Sequence, residues 1–282
     1  MSKTAVVFSG QGSQSVGMGK DLYDNSSSAR AVFDMASKFR SNIKEICFEG
    51  PKEELNKTVN TQPALFCVCL ASYRAKLEQG LKPDMLAGFS LGEIPALAAS
   101  GILTDEAAFE LVIKRAEFMH ACSNDGFMAA IIGLESKKIE EILLDFADVK
   151  CVNYNAPLQT VISGRNGFDD AINALKAAGA RAMKLAVSGA FHSHYMTPAS
   201  NNMADYLKTI AFSAPKIPLY SNLTTNVYDT LSSKENVYRQ INSPVRWVEL
   251  IKNMHKDGAA NFVECGAGNV LTGLIDKILE VK

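Results

Sequence analysis

The sequence predicts an α/β fold in two units: a large domain with a parallel sheet, and a small subdomain inserted into it. Three observations support this architecture. Apolar strands alternate with amphipathic helices along most of the chain, an order that builds a parallel sheet. Between 125 and 188 the order becomes βαββαβ, which is that of a ferredoxin-like unit. The earlier alternation then resumes, so we predict one domain of 1–124 with 189–282 and a subdomain of 125–188.

Apolar periodicity and turn residues predict the elements of the large domain. The apolar strand at 4–8 runs into the glycine-rich loop FSGQGSQ (8–14). Pro63 suits the first turn of a long helix over 62–80. Further strands are expected at 84–89, 216–221 and 261–266. Further helices are expected after GFSLGE, over 104–122, 194–209 and 247–256, and from 268.

The same signals predict four strands and two helices for the small subdomain. The strands are expected at 127–134, 149–155, 159–164 and 180–187, and the helices at 136–147 and 168–179.

Composition excludes several classes of function. The 282 residues carry a net charge of −1, so the bulk charge gives no reason to expect a nucleic-acid partner. The N-terminus is too polar for a signal peptide and no apolar run is long enough for a bilayer, so we expect a cytoplasmic protein without a membrane partner. Six scattered cysteines indicate neither a zinc site nor a disulfide framework. No metal and no cofactor is expected.

The segment GFSLGE (88–93) suggests chemistry most directly. The spacing from Ser90 to Glu93 is that of a capping box, in which both side chains bond free N–H groups of a first helical turn. The glycine-x-serine-x-glycine spacing is equally that of a nucleophile elbow, the strained strand-to-helix turn of α/β-hydrolase-like domains. A strand ending at Phe89 supplies the context for an elbow. The segment alone leaves both interpretations open.

A nucleophilic Ser90 requires a base. Two of the four histidines, His192 and His194, lie in FHSHYM (191–196), where the small subdomain returns the chain to the large domain. A junction between units forms a natural cleft. We interpret His194 as a surface or helix-start residue.

Arg115 is unusual because it lies on the apolar face of the predicted helix over 104–122. Its neighbours at spacings of three, four and seven are Ala108, Leu111, Val112, Phe118, Met119 and Cys122. A guanidinium on such a face is unfavourable unless it meets an anion or a polar cavity. Arg115 is therefore either a structural ion pair or snorkelling cation, or a bidentate fork for a carboxylate substrate.

The loop FSGQGSQ lacks the lysine and spacing of a phosphate loop. Its small residues let backbone N–H groups approach a ligand instead. One of these, with another from the residue after Ser90, would make an oxyanion hole.

Eight motifs, taken in chain order, resemble the malonyl-CoA:acyl carrier protein transacylase family of bacterial fatty acid synthesis, which also occurs as acyltransferase domains of polyketide synthases. No single motif is decisive, but the shared order is highly specific and spans nearly the whole chain. The motifs are FSGQGSQ (8–14), TQPAL (61–65), GFSLGE (88–93), KRAEFM (114–119), MAAIIGL (128–134), GAFHSHYM (189–196), QINSPVRW (240–247) and ECGAGNVLTGL (264–274).

The resemblance implies a catalytic role for five residues. Ser90 is the acylated nucleophile and His192 its general base. The main-chain carbonyl of Gln240 orients the histidine. The backbone N–H groups of Gln11 and Leu91 form the oxyanion hole.

The resemblance also implies the substrate-binding residues. Arg115 matches the arginine that binds the malonyl carboxylate, in agreement with its place on the helix. Gln62, Phe89 and Phe191 are expected to line the pocket, although an ordinary polar helix start is an equal alternative for Gln62. Glu93 is interpreted as a capping carboxylate, so that Ser90 is both nucleophile and helix start.

The implied reaction is ping-pong transfer of malonyl from malonyl-CoA to the phosphopantetheine thiol of acyl carrier protein, by a monomer. Two positions depart from the family. Phe89 stands where a histidine is usual, and Asp276 and Lys277 stand where relatives often carry a basic pair that receives the carrier protein. GAFH (189–192) resembles the malonyl-selective form.

Three alternatives to this reaction are weighed. They are a serine acyl hydrolase or thioesterase, a polyketide-pathway acyltransferase of different acyl selectivity, and a carrier-protein-binding scaffold with a dead site. Arg115 argues against the hydrolase, and intact Ser90 and His192 argue against the scaffold.

Overall fold

A computed structural model describes residues 2–123, 126–187, 189–229 and 233–280, which form two four-stranded sheets with helices around them. The predicted α/β class is confirmed. Residues 124, 125 and 188, where the predicted domain boundaries fall, lie outside the described residues.

The large unit is built on a parallel sheet. Its strands are β1 (Lys3–Phe8), β2 (Met85–Gly88), β7 (Leu219–Tyr220) and β8 (Ala259–Cys265). They lie in the order β7-β2-β1-β8, and every neighbouring pair is parallel. Because parallel strands end at the same edge, the loops after all four strands meet there. Phe8 and Gly88 are register partners at this edge.

The helices of the large unit cover both faces of the parallel sheet. They are α1 (Lys20–Asn25), α2 (Ser27–Phe39), α3 (Ile43–Phe48), α4 (Lys52–Leu55), α5 (Thr58–Glu78), α6 (Glu93–Ala99), α7 (Asp105–Ala121), α10 (Thr197–Leu207), α11 (Ser233–Arg239), α12 (Trp247–Lys256) and α13 (Val270–Glu280). Short 3-10 helices occupy Ser90–Gly92, His194–Met196 and Gln240–Asn242. Helices α1 to α4 and α11 were not predicted. Four of them have seven residues or fewer and carry too little periodicity to stand out. The fifth, α2, has 13 residues with an apolar face and was missed although its periodicity is visible in the sequence.

Helix α5 corrects one prediction. It begins at Thr58, so Pro63 lies inside it rather than in its first turn. A proline inside a helix leaves the carbonyl four residues earlier without its donor. Here that carbonyl belongs to Val59, and it accepts a hydrogen bond from Arg40 Nη1 at 2.5 Å. A side chain from α2's end thus replaces the missing N–H, and the helix continues.

The small unit is an antiparallel sheet with two helices. The strands are β3 (Phe127–Ile132), β4 (Lys150–Ala156), β5 (Gln159–Gly164) and β6 (Arg181–Lys184), and the helices are α8 (Ser136–Leu143) and α9 (Phe168–Ala177). The strand order is β4-β5-β3-β6, and all neighbours are antiparallel. The unit has its own apolar core, which includes Ile131, Ile139 and Ile162.

The two units are joined at the edge of this second sheet. Val245, in the large unit, pairs with β4 as a parallel bridge beside Asn153. This bridge fixes β4 next to the segment that precedes α12. In the described residues, no helix is both long and apolar enough to cross a bilayer.

Candidate active site

Ser90 lies on a tight turn between β2 and α6. Its φ of 51° is in the left-handed region, which a residue with a Cβ adopts only when its surroundings enforce it. The turn needs glycine on both sides. A Cβ on Gly88 would lie 2.0 Å from the carbonyl carbon of Gly92, and a Cβ on Gly92 would lie 2.1 Å from the carbonyl oxygen of Phe8. The segment therefore has the geometry of a nucleophile elbow.

The predicted capping box at this turn is wrong. The Ser90 side chain does not cap the helix, because its Oγ lies 2.7 Å from His192 Nε2. The Ser90 N–H donates instead to Asn222 Oδ1 at 2.7 Å, and Asn222 Nδ2 donates to Gly88 O at 2.5 Å. Asn222, in the loop after β7, thus holds the turn from outside. Nothing in the sequence near Ser90 pointed to it.

His192 is buried between Ser90 and Gln240. Its Nδ1 lies 2.9 Å from the main-chain oxygen of Gln240, and this oxygen can only accept. Nδ1 therefore carries the proton, and Nε2 is left to accept the Ser90 hydroxyl. Burial, with a smaller effect of the Arg115 charge, lowers the pKa of His192 to about 4. The imidazole is thus neutral at physiological pH, as a general base must be.

His192 also has an unusual backbone conformation, with a φ of 60°. Ser193 stabilises the turn, since its hydroxyl donates to Ala190 O at 2.6 Å and accepts from the Tyr195 N–H at 3.3 Å. His194 points outward, with 59% of its side chain exposed.

Arg115 is 1% exposed and lies beside the Ser90 hydroxyl. Its Nη1 donates to Gln62 Oε1 at 2.8 Å, and its Nη2 donates to Gln240 Oε1 at 2.8 Å and to Ser90 Oγ at 3.3 Å. Its Nε has no partner among the described residues. Burial lowers the pKa of Arg115 to about 10. The residue neither snorkels nor pairs directly with a carboxylate in the described part of the chain.

Gln62 is not a polar helix start. Because α5 begins at Thr58, Gln62 lies one turn inside it and is fully buried. Its Oε1 accepts from Arg115, and its Nε2 approaches Met119 Sδ at 3.5 Å. Because Pro63 was taken for a first-turn residue, Gln62 was expected at the start of the helix rather than inside it.

Glu93 is the acidic side chain whose charge acts on Arg115. It is fully buried, and its carboxylate accepts hydrogen bonds from the Tyr228 hydroxyl, from Gln240 Nε2 at 2.7 Å and from the Asn222 N–H at 3.3 Å. Burial raises its pKa to about 7, against the lowering effect of these hydrogen bonds and of Arg115. The carboxylate is therefore part of the site and does not cap a helix.

Gln240 connects these groups through both ends of its amide. Nε2 donates to Glu93 and to the Ser90 main-chain oxygen at 2.9 Å, so Oε1 is directed at Arg115. The family resemblance implied a role only for its main-chain carbonyl. Its side chain was missed because its partners lie more than a hundred residues away.

A cavity of about 140 Å³ opens beside these groups. The large unit contributes four polar side chains, two phenylalanines and a methionine to its wall, and the small unit contributes mostly apolar side chains. The lining residues are Gln11, Phe89, Ser90, Arg115, Met119, Met128, Asn153, Asn155, Val161, Leu185, Val187, Phe191 and His192. Six of the nine predicted site residues line this cavity, and Gln62, Leu91 and Gln240 do not. Gln62, predicted to line the pocket, is instead fully buried as a partner of Arg115. The wall from the small unit was not predicted.

Phe89, Gln11 and Asn155 line both this cavity and a second one of about 170 Å³. The Phe89 ring packs edge-on against Trp247, with centroids 5.3 Å apart. Leu91, the residue after the nucleophile, is 1% exposed. Asp276 and Lys277 lie exposed on α13.

The chain matches the acyl transferase domain family over residues 5–281. It belongs to this family. The match covers both units of this acyltransferase, including every residue of the cavity wall. No group of three or more metal-binding side chains that could hold an ion occurs among the residues that the structure describes.

Relatives of this acyltransferase cover nearly its whole length. It is 38% identical over 99% of the chain to the malonyl CoA-acyl carrier protein transacylase of Bacillus subtilis, covering 91% of that protein. It is 40% identical over 96% of the chain to the polyketide biosynthesis malonyl CoA-acyl carrier protein transacylase of the same organism, covering 96% of it. A malonyl-transacylase solved in complex with its type II polyketide synthase acyl-carrier protein superimposes with a TM-score of 0.95, at 37% identity, over 99% of this chain and 93% of that one.

Proposed function

We propose that this acyltransferase moves a malonyl group from malonyl-CoA to the phosphopantetheine thiol of an acyl carrier protein, through an ester on Ser90. The main support is the position of Arg115, a buried cation 3.3 Å from Ser90 Oγ whose described hydrogen-bond partners are neutral oxygens. A substrate carboxylate next to the reacting carbonyl meets this cation. The relatives named as malonyl transacylases support the same activity.

In the first half-reaction, Ser90 Oγ attacks the thioester carbonyl and its proton passes to His192 Nε2, 2.7 Å away. The resulting imidazolium then gives this proton to the departing sulfur, so coenzyme A leaves as a thiol. Gln240 keeps the proton on Nδ1 throughout. The Arg115 N–H aimed at Oγ stabilises negative charge as it develops on the serine oxygen.

The oxyanion of the tetrahedral intermediate is assigned to the backbone N–H groups of Gln11 and Leu91. Gln11 lines the cavity together with Ser90, and Leu91 is the residue after the nucleophile, as in other elbow sites. Losing one such donor typically raises a barrier by about 2.7–4 kcal/mol.

In the second half-reaction, the carrier-protein thiol gives its proton to His192 and attacks the serine ester. The C–O bond to Ser90 breaks, and the proton returns from His192 to Oγ. The enzyme is regenerated and the product is a malonyl thioester. Phe89 and Phe191 line the pocket in which the acyl group is held.

Arg115 also distinguishes this proposal from a general acyl hydrolase. A hydrolase of neutral acyl groups gains nothing from a buried guanidinium, whose burial is unfavourable without an anion. The proposed reaction is common to fatty acid and polyketide synthesis, and relatives of both kinds are similar to this chain.

Several further features are proposed with this function. The large domain (1–124 and 189–282) is α/β-hydrolase-like, and 125–188 is an inserted ferredoxin-like subdomain, which the strand order β4-β5-β3-β6 supports. The enzyme works as a cytoplasmic monomer without a metal or cofactor, and it has no nucleic-acid or membrane partner.

The experiment that tests the proposal is intact-mass measurement after mixing with malonyl-CoA, before and after adding a holo carrier protein. We expect one malonyl adduct, lost from the enzyme and gained by the carrier protein. Ser90→Ala should form no adduct. An adduct that persists in Ser90→Ala removes Ser90 as the nucleophile, and an adduct released only as free malonate contradicts the transferase.

A further inference from the structure

The turn before β4 in the small unit makes the first of two contacts with the segments around His192. This contact is made by Asp148. The Asp148 carboxylate accepts from the backbone N–H groups of Arg165 at 3.0 Å and Asn166 at 2.7 Å. It also accepts a hydrogen bond from the Tyr195 hydroxyl, on the segment of the large unit that carries His192. Tyr195 lies three residues after the histidine. This hydrogen bond therefore links the small unit to the catalytic base.

The contact is reinforced by charge. The Arg165 guanidinium lies 4.0 Å from the centroid of the Tyr195 ring, and its buried Nε has no partner in the described part of the chain. His194 Nε2 lies 3.8 Å from Asp148 Oδ1. Burial acts to raise the pKa of Asp148, but the hydrogen bonds from Tyr195 and the two N–H groups outweigh it, so the pKa lies below its ordinary value. Asp148 is thus an ionised acceptor at neutral pH.

A second contact, at Val245, restrains the segment that carries Gln240, the residue that holds the imidazole from its other side. The Val245 N–H donates to Val152 O at 2.9 Å, and the Tyr154 N–H donates to Val245 O at 2.9 Å. Val245 lies five residues after Gln240, whose carbonyl holds His192 Nδ1. Strand β4 and the turn before it therefore bind both segments that form the His192–Gln240 hydrogen bond.

We propose that β4 and the turn before it position the general base, and that Asp148 and Tyr195 are positioning residues acting on His192 without touching the substrate. This inference rests on the proposed function, because it assumes that His192 is the base. His192 sits in a left-handed conformation that its surroundings must enforce. Without the Tyr195 hydrogen bond, the segment that carries His192 has one fewer restraint. The conformation in which His192 Nε2 lies 2.7 Å from Ser90 Oγ is then less populated.

Loosening the segment also changes the titration of the base. His192 faces one charged side chain directly, Arg115 on α7, and Glu93 on α6 lies behind Gln240. The charged groups that face Tyr195 are Asp148 and Arg165, and the titratable side chain of its neighbour His194 lies beside its ring. Tyr195→Phe changes none of these charges. A shift in the pH profile of that variant therefore reports greater access of water to His192, which moves its pKa up toward the ordinary value.

The test compares wild type with Tyr195→Phe, which keeps the ring over Arg165 and removes only the hydroxyl. A fluorophosphonate reagent labels an activated serine whatever its natural acyl donor, so its rate on Ser90 reports the Ser90–His192 pair alone. We expect labelling about tenfold slower. The acidic limb of its pH profile should move about one unit higher. Malonylation and acetylation of Ser90 should slow by the same factor.

Tyr23→Phe is the matched control. Tyr23 also donates its hydroxyl to an aspartate, Asp34 at 3.3 Å, and lies under an arginine, Arg30 at 5.5 Å, but far from the site in α1. It should leave the rate and the profile unchanged. An unchanged profile in folded Tyr195→Phe overturns the proposal. If that variant does not fold, Asp148→Ala takes its place, because it removes the acceptor of the Tyr195 hydroxyl. An unmoved acidic limb in Asp148→Ala also overturns the proposal.

Failure of the proposed function is separable from failure of this inference. A wild-type enzyme that reacts with the fluorophosphonate but not with malonyl-CoA contradicts the malonyl assignment only. The effect of Tyr195→Phe on labelling is then still measured.

Discussion

The two walls of the active-site cavity differ in chemistry, although they face the same 140 Å³. The large unit contributes Ser90 and Arg115 and encloses Glu93 behind them, so a cation and a titratable carboxyl group are buried within one hydrogen-bonded network. The small unit contributes mainly apolar side chains, such as Leu185 and Val187. The difference teaches that one wall performs the chemistry and the other shapes the space for the acyl group. Substitutions in the two walls should therefore have effects of different size and kind.

The largest effect is expected from removing the cation of the polar wall. Arg115→Ala should lower kcat/KM for malonyl-CoA by about 10²–10³-fold, since a buried carboxylate then loses its charged partner. Transfer from acetyl-CoA, which brings no carboxylate, should fall much less. The measurement is acyl-enzyme formation with both donors, after thermal unfolding has shown that the variant is folded.

The neighbouring Lys114 provides the control, because it is half-buried and paired with Glu117 at 2.8 Å on the outer face of the same helix. Lys114→Ala should leave both donors unaffected. Arg115→Lys keeps the charge but loses the planar fork, so it should recover only part of the malonyl activity. Equal losses with malonyl-CoA and acetyl-CoA in Arg115→Ala contradict the role of Arg115.

A smaller, pH-dependent effect is expected from Glu93. Its pKa of about 7, raised by burial, means that it loses its proton as pH rises through neutrality. The new negative charge then opposes the malonyl carboxylate at Arg115, so KM for malonyl-CoA should rise several-fold between pH 6 and pH 8. Glu93→Gln keeps the shape but cannot ionise. It should remove this rise and match wild type at pH 6.

The control for Glu93→Gln is a change of acyl donor from malonyl-CoA to acetyl-CoA. Acetyl-CoA carries no carboxylate, so its KM should show no such dependence in either protein. A KM for malonyl-CoA that varies with pH in the same way in wild type and Glu93→Gln assigns the titration to another group.

The smallest effect is expected in the apolar wall. Leu185→Ala removes a side chain that is already 37% exposed, so stability should change little. The enlarged cavity should admit a branched or longer acyl-CoA several-fold better relative to malonyl-CoA. Competition between the two donors, read as the masses of the acyl-enzymes, measures the ratio. Met183, 45% exposed on β6 and outside the cavity wall, is the matched control, and a Met183→Ala variant with the same change in ratio contradicts the shaping role of this wall.

The sequence by itself determined the α/β class, the order of elements around the small unit, and the candidate residues Ser90, His192 and Arg115. The fold class, Ser90 and Arg115 follow from local patterns: apolar periodicity, glycine spacing beside a serine, and a cation on an apolar helical face. Such patterns can be recognised in a single sequence because they depend on residues only a few positions apart. His192 was found by its place at the junction of the two units, and its role as the base was implied by the family resemblance. The start of α5 was misplaced because proline usually stands in the first turn of a helix. Here Arg40, from outside the helix, bonds the carbonyl that Pro63 leaves without a donor, so the helix begins earlier.

Only the tertiary structure decided what surrounds these residues. The carboxylate of Glu93, read from its spacing as a cap, is bound by Gln240, which lies 147 positions later. Asn222 holds the elbow, and the small unit supplies the second wall of the cavity. The physical reason is that burial and hydrogen-bond partners arise where distant segments meet. The same six letters around Ser90 permit a helix cap or a nucleophile, and His192, 102 positions away, determines which of the two forms.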